Sequence, residues 1–397
     1  MRTYDELRGL LRDQRLPAAV VDLDALSRNI QRIRELARGA RLRVASKSVR
    51  HVGLLRRILD EGGPTFQGLL CFSAEEAVFL ASEGFDDLLV AYPTVQTAAL
   101  RGLAELTARG GVVAIVVDCP QHLDALDAAG RAAGVVMRGI IEVDVAYRRA
   151  GQHIGARRSP VRSPADALAL ARHAAGLPGV RVAGIMAYEA HIAGLQDDNP
   201  FSRWMNPARW LIKRLGWPEV RRVRQAVVQA LQAEGLAVEL VNGGGTGDVR
   251  LTPDEPDLTE ITVGSGFLCS HLFDYYEGLG LEPAAFFALE LSRRSDPGFI
   301  TCNSGGYVAS GEPGWDRLPI PWLPPGLRYL GAEGAGEVQT PLRLPADAPA
   351  LQLGDPIFFR HAKAGELCER FNELLLVKDG AIVAREPTYR GQGRCFG

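Results

Sequence analysis

The sequence predicts a (β/α)8 barrel of the TIM type followed by a mostly antiparallel β domain. Eight short apolar runs of β character are spaced through the first two thirds of the chain, and most are separated by a segment of helical periodicity. Beyond about Leu281 the helical segments give way to β runs divided by Gly, Pro and Asp turns. Strands that are apolar on both faces and alternate with helices make a buried parallel sheet. Eight such units suit a closed barrel better than an open doubly wound sheet, which is the alternative.

A chain of 397 residues is long for one core and suits a large barrel with a smaller second domain. The expected barrel spans residues 18–275, and residues 276–397, joined by about 1–17, form the β domain. The β run Ala18 to Leu23 leads into an amphipathic helix from Asp24 to Ala40, with arginines on its polar face. The strand candidates that follow are Leu42 to Ala45, Gly68 to Phe72, Asp87 to Ala91, Val112 to Val117, Met137 to Val143, Val180 to Ala187, Ala237 to Val241 and Leu258 to Val263. In the second domain the β runs begin at Leu289, Gly298, Gly326, Asp355 and Glu373, and the turn Lys378-Asp379-Gly380 marks a hairpin.

A net charge of −2 gives no reason to expect a nucleic acid or a membrane as partner. No apolar run approaches a bilayer span and the first residues lack an apolar signal core, so a soluble cytoplasmic protein is expected. The six cysteines are scattered without a C-x-x-C pair and read as reduced thiols rather than a disulfide framework or zinc ribbon.

Lysine is scarce: Lys47, Lys213, Lys363 and Lys378 are the only four, against a total of 45 Lys and Arg. Lys47 follows the strand candidate Leu42 to Ala45, and in a barrel the reactive groups sit at the C-terminal ends of strands. Where arginine is the default cation, a lysine at that place points to imine formation by a deprotonatable amine. The loops after the last two strands commonly hold phosphate. Here they read Asn242-Gly-Gly-Gly-Thr-Gly247 and Gly264-Ser-Gly266, so Gly244, Gly245, Thr246, Gly264, Ser265 and Gly266 are the candidate phosphate ligands. Glycines allow close backbone approach, and Thr246 and Ser265 add hydroxyls. No G-x-x-x-x-G-K-[ST] motif is present, which assigns the phosphate to a cofactor held without a nucleotide fold. A lysine imine with a barrel phosphate cup reads as pyridoxal 5′-phosphate (PLP).

At these residues the sequence resembles the fold-type III PLP enzymes with an alanine racemase-like barrel, in particular the D-threonine aldolase and D-serine dehydratase branch. The resemblance also includes Glu142 to Gly151, Ala187-Tyr-Glu-Ala-His191, Gly243 to Thr246 and the C-terminal β domain. It implies that Arg149, in the R-x-G pattern with Gly151, contacts the phenolic oxygen of PLP and that Tyr188 lies near its ring. In that branch the second domain carries a His-x-Cys or His-x-Asp pair for a divalent metal. This chain keeps His361 but has Lys363 at the second position, and an ammonium cannot coordinate a metal. No metal is therefore expected, although Glu366 and Cys368 leave a rearranged site open. Lys363 is a candidate to hold or protonate the β-oxygen of a substrate, or to act as acid and base beside PLP; an ion pair with Glu366 or Glu369 is the structural alternative.

His191 ends the sixth strand candidate and is the candidate base for a β-hydroxyl proton, with His51 and His153 weaker. The stretch from Ile192 to about Trp217 reads as a lid or a dimer contact, and the Pro-rich Leu318 to Gly326 as an interface arm. The resemblance implies a homodimer in which Lys363 acts across the interface. The expected function is a PLP-dependent lyase on a β-hydroxy D-amino acid, cleaving it to glycine and an aldehyde or dehydrating and deaminating it. The alternatives are a racemase or epimerase using Tyr307, and a non-catalytic PLP carrier, against which the large β domain argues.

Overall fold

The computed structural model describes residues 2–149, 151–363 and 365–396. Ala150 of the R-x-G pattern and Ala364 beside Lys363 lie outside the described residues. Eleven strands precede residue 270: β1 (Ala18–Asp22), β2 (Leu42–Ala45), β3 (Phe66–Cys71), β4 (Leu88–Val90), β5 (Val113–Val117), β6 (Met137–Glu142), β7 (Tyr147–Arg149), β8 (Gln152–Ile154), β9 (Val180–Met186), β10 (Leu240–Gly243) and β11 (Glu260–Val263). All of these except β1, β7 and β8 form a closed parallel barrel in chain order, with β11 pairing back onto β2. Each of the eight expected runs is a barrel strand. The strands read as continuous apolar stretches because both faces are buried. One face, with Leu70, Leu89, Val116 and Ile140, fills the interior, while the other packs on the helices.

The helices start where short polar side chains can take up free amides. Asp22 accepts from the amides of Asp24 and Ala25 to open Leu23–Leu36, while Ser73 and Ser163 do the same for Ala74–Ser82 and Pro164–Ala175. No helix among the described residues is long and apolar enough to cross a membrane.

The lower end of the barrel interior is polar. Arg43, 2% exposed, reaches Glu260 at 2.6 Å through Nε and 2.8 Å through Nη2, and it reaches the Asp87 carboxylate at 2.9 Å. Asn242 donates to Glu260 at 2.7 Å and to Thr262 at 2.8 Å. Burial opposes the Arg43 charge, but Glu260 and Asp87 outweigh it and keep the guanidinium protonated. The cluster spans the β11–β2 seam at which the barrel closes.

The second sheet contains β12 (Ala285–Arg293), β13 (Phe299–Asn303), β14 (Ile320–Leu323), β15 (Arg328–Tyr329), β16 (Gln339–Arg343), β17 (Pro356–Arg360), β18 (Glu373–Lys378) and β19 (Ala381–Pro387). Its order is β15-β16-β13-β12-β1-β18-β19, and β17 pairs with β12 and β14. Most pairings are antiparallel; β1 is antiparallel to β12 and parallel to β18. This changes the expected start of the barrel at residue 18. All five residues of β1 are buried between two strands of the second sheet, so the barrel's own strands begin at Leu42.

Two strands of this sheet were not expected. β14 lies within the Pro-rich segment read as an interface arm, and it pairs with β17 alone, an edge position where proline is tolerated. β16 contains Pro341, which lies beyond the residues that pair with the two-residue β15. The stretch after His191 folds into a turn, Pro200–Met205, and a long helix, Asn206–Ala233, that runs through Pro218.

Removing one partner of a buried ion pair costs about 3–5 kcal/mol, whereas an exposed pair contributes about 1 kcal/mol or less. Arg43→Ala is therefore expected to lower the urea midpoint far more than Arg38→Ala, which breaks exposed contacts, the pair with Asp254 and a hydrogen bond to the Arg250 carbonyl. Equal midpoints for the two variants, followed by circular dichroism, would show that the seam cluster contributes nothing special.

Candidate active site

A cavity of about 690 Å³ opens at the C-terminal ends of the barrel strands. Ala45, Leu70, Ala91 and Met186 give it an apolar floor, and Lys47, Tyr92, Tyr188 and the two glycine loops form its walls. Lys47 lies in the one-turn helix Ser46–Ser48 that follows β2, and its Nζ donates to the Tyr92 hydroxyl at 2.8 Å. Tyr92 follows β4 at the same rim. The Arg158 guanidinium lies 5.6 Å from the ring centres of both Tyr92 and Tyr188, so it bridges the two phenols. Burial raises the Tyr92 hydroxyl, but the charges of Lys47 and Arg158 and the Lys47 hydrogen bond outweigh it, and the net shift is downward. Tyr188 is pushed up by burial and by Asp248.

The glycine loops meet through Thr246, whose Oγ1 accepts from the Gly264 and Gly266 amides at 3.2 Å each. Ser48 and Ser265 hydroxyls stand 3.3 Å apart beside them. The Gly244 and Gly245 amides, expected to face a phosphate, are instead taken by Glu189 at 3.0 Å and Asp248 at 2.7 Å. These carboxylates are buried and need donors. The amides of Thr246, Gly247 and Ser265 hydrogen-bond to nothing among the described residues. Beneath the loop Arg224, wholly buried, donates to Glu189 at 2.9 Å and to the Ala187 carbonyl at 2.7 Å, and it pairs with Glu255. A helix of the inserted stretch thus fixes the backbone of the first glycine loop.

The second sheet packs directly on the lysine turn. Gly365, at φ +79°, lies so close that a Cβ there would stand 2.0 Å from the Lys47 carbonyl oxygen. Arg50 bonds the same carbonyl at 3.2 Å and Glu369 at 2.6 Å, and Cys368 Sγ donates to the Val49 carbonyl at 3.1 Å. Lys363, Trp315 and Arg317 consequently line the cavity of their own chain. Lys363 needs no second subunit to reach it. Its Nζ donates to Ser310 Oγ at 2.7 Å and lies 3.4 Å from Glu366, so the ion pair named as the alternative to a catalytic role is present, with Glu366 as its partner.

Three expected residues do not face the cavity. Arg149 is exposed on the β7–β8 hairpin, and Arg158, a few residues after that hairpin, lines the cavity in its stead. His191 is buried behind Tyr188, in a space of about 10 Å³ shared with Glu142, Asp144 and Arg158. Among the described residues its ring nitrogens have no hydrogen-bond partner, and burial lowers its pKa. His361 faces a neighbouring cavity of about 370 Å³ with Tyr307, and burial with the Arg360 charge pushes its imidazole down to about 3. Of the weaker candidates, His51 caps the helix Val52–Gly62 and His153 accepts from Arg148.

Tyr92, Arg158, Trp315 and Arg317 were missed, together with Phe201, Ser202 and Arg209 from the inserted stretch. Tyr92 stands directly after its strand candidate, as Lys47 does, and the strand-end rule that singled out Lys47 applies to it equally. Nothing in sequence separates Arg158 from Arg157. Asp118, Cys119 and His122 bring ligand atoms within 4.8 Å of one another after β5, outside the cavity; Asp118 and His122 already pair at 2.9 Å.

A closed parallel barrel with a lysine at its mouth, beside a cup of hydroxyls and amides, and a β domain over that mouth is the alanine racemase-like architecture. The family model described as "Alanine racemase, N-terminal domain" matches residues 21–267, and the chain belongs to that family. It is 29% identical over 249 residues to a 3-hydroxy-D-aspartate aldolase of Paracoccus denitrificans (strain Pd 1222), an alignment covering 63% of this chain and 59% of that protein. With a D-threonine aldolase of an Arthrobacter species it shares 25% identity over 373 residues, 92% of this chain and 90% of the relative. The crystal structure of a D-threonine aldolase from Filomicrobium marinum superposes with a TM-score of 0.80 at 23% identity, covering 95% and 96% of the two chains, and shares the fold.

The family implies PLP, and the residues fit a phosphorylated aldehyde. The cup offers unpartnered amides and hydroxyls. At Gly264 a Cβ would meet Ser48 Oγ at 2.7 Å and Ala45 Cβ at 2.8 Å, so the cradle has room only for glycine there.

Glu142 lies under Arg158; burial raises its carboxyl to about 7, Arg158 opposes this, and Asp118 and Asp144 add to it. A carboxyl raised in the native state binds more protons there than in the unfolded chain, so stability falls as pH rises from its ordinary 4.5 to about 7. Glu142→Gln is expected to flatten that decline in urea midpoints measured across the window. An unchanged slope would remove Glu142 as its source.

Proposed function

We propose that this chain is a PLP-dependent lyase acting on a β-hydroxy D-amino acid. Cleavage to glycine and an aldehyde is the first reading, and dehydration with deamination the second. The observation that carries it is the Lys47 amine in the cavity, beside the Thr246–Ser265 cup and beneath Lys363 of the same chain. Bound PLP supplies an electron sink, and protein groups decide which bond of the substrate is aligned with it. Thr246, Ser265 and the amides of residues 246, 247 and 265 hold the phosphate; Tyr188 and Arg158 flank the ring site. The relatives named for aldolase and dehydratase activity on D-threonine and 3-hydroxyaspartate support this class of substrate.

Lys363 takes the place of a metal in this reading. Ser310 and Glu366, which line the neighbouring cavity, orient its ammonium at the wall that the two cavities share, from which it hydrogen-bonds the β-oxygen of a substrate. His361 does not complete a metal site with it, because an ammonium has no lone pair to offer a metal, although both residues line the neighbouring cavity. The racemase reading has less support, since Tyr307 faces that same neighbouring cavity and bonds Ser304 at 2.9 Å. A homodimer belongs to the proposal on the family resemblance, and sedimentation checks it.

Lys47→Ala is expected to abolish the visible absorbance that the protein gains with PLP; a variant that keeps it would refute the assignment. Incubation with D-threonine and 3-hydroxy-D-aspartate, with chiral product analysis, separates the reactions: glycine plus aldehyde, a 2-oxo acid with ammonia, or an inverted amino acid. EDTA is expected to leave activity unchanged, while Lys363→Met lowers kcat by about 10²-fold or more. Strong loss with EDTA, restored by manganese or zinc, would sink the role given to Lys363.

A further inference from the structure

We propose that Tyr92 is the proton partner of Lys47, taking the proton its ammonium must lose before the amine can act as a nucleophile. This rests on the reading of Lys47 as the cofactor lysine.

The geometry places one phenol between two cations. Lys47 Nζ is 2.8 Å from Tyr92 Oη and 5.3 Å from the centre of its ring. Arg158 lies 5.6 Å from the same ring centre. Both positive charges favour a phenolate at Tyr92, and Glu142, the acidic group that opposes it, acts on it more weakly than either. Tyr188, the other phenol against Arg158, is held neutral by burial and by the nearby Asp248, so Arg158 serves one phenolate only. Tyr92 is the tyrosine pushed down, whereas Tyr4, Tyr188, Tyr275, Tyr276, Tyr329 and Tyr389 are pushed up.

The transfer balances within the pair. One Nζ–H bond of Lys47 breaks and an Oη–H bond of Tyr92 forms, so ammonium and phenolate become amine and phenol with no charge left over. The reverse step returns the proton to Lys47. The pair lies on the wall of an open cavity, which lets solvent re-equilibrate Tyr92 between turnovers. Arg158 holds the phenolate without competing for the proton, because a guanidinium does not titrate in this range. Lysine alone would be almost wholly protonated at neutral pH, with an ordinary pKa of about 10.4.

Two measurements on the full-length protein test this. In the first, PLP is removed with hydroxylamine and its uptake is followed by visible absorbance across pH. Tyr92→Phe is expected to slow uptake on the order of a hundredfold near neutral pH, with the rate recovering as pH approaches the ordinary lysine value. Wild-type rate and pH profile in the variant would overturn the proposal. In the second, tyrosinate absorbance of the PLP-free protein is titrated: one tyrosine ionises ahead of the rest, Tyr92→Phe abolishes that step, and Lys47→Met moves it upward. An early step that survives Tyr92→Phe would also overturn it. Absence of any PLP absorbance in the wild-type protein would instead defeat the cofactor reading, and the tyrosinate titration would still decide whether Lys47 and Tyr92 are coupled.

Discussion

The seam between β11 and β2 is the constraint on which the site depends. Closing a barrel requires its last strand to find its first in one register, and here a buried charge at the seam fixes that register. Arg43 on β2 meets Glu260 on β11 with two hydrogen bonds and also reaches Asp87 before β4. A one-residue slip would turn Arg43 out of the interior and leave Glu260 buried without its partner, at a cost of several kcal/mol. The upper ends of the same two strands carry Lys47 and the Gly264–Gly266 loop. The polar plug at one end of the barrel thereby sets the distance between the amine and the cup of hydroxyls and amides at the other.

A second set of contacts fixes the depth of the lysine turn. Gly365, Arg50 and Cys368 all bond or abut the backbone of residues 47–49, and the Tyr389 amide donates to the Arg50 carbonyl at 3.0 Å. The second sheet is therefore part of the wall around Lys47. This explains why Lys363 stands in its own chain's cavity. The first glycine loop is held from the opposite side by Arg224, whose wholly buried charge is balanced by Glu189 and Glu255. Two of its amides are spent on that internal network, and the hydroxyls and the remaining amides are left for a ligand.

The cavity wall is unusually cationic for a chain of net charge −2, with Lys47, Arg158, Arg209, Arg317 and Lys363 on it. Three of these five are oriented by a specific neighbour: Tyr92 for Lys47, Ser310 and Glu366 for Lys363, Ser202 and Asn206 for Arg209. Such pairing holds long side chains in single orientations, which a site that distinguishes bonds at one substrate carbon requires.

The eight barrel strands, Lys47, Thr246 and Ser265 were legible from the chain because each rests on local pattern: apolar runs of strand length, a rare residue at a strand end, and hydroxyls among glycines. The second sheet was legible only in outline. Its β14 and β16 carry prolines whose tolerance depends on which neighbours they lack, and β1 is assigned by partners more than 250 residues away. The site's side walls were illegible for the same reason. Arg149 carries the R-x-G pattern and Arg158 carries none, yet the β7–β8 hairpin exposes the first and the chain after it brings the second to the cavity. His191 stands at a strand end, yet a helical turn from Ala190 to Ala193 carries it behind Tyr188. Local periodicity reports which residues can form a strand or cap a helix. Which side chain faces a shared cavity is set by packing among distant segments, and that information exists only once the barrel closes and the second sheet docks on its rim.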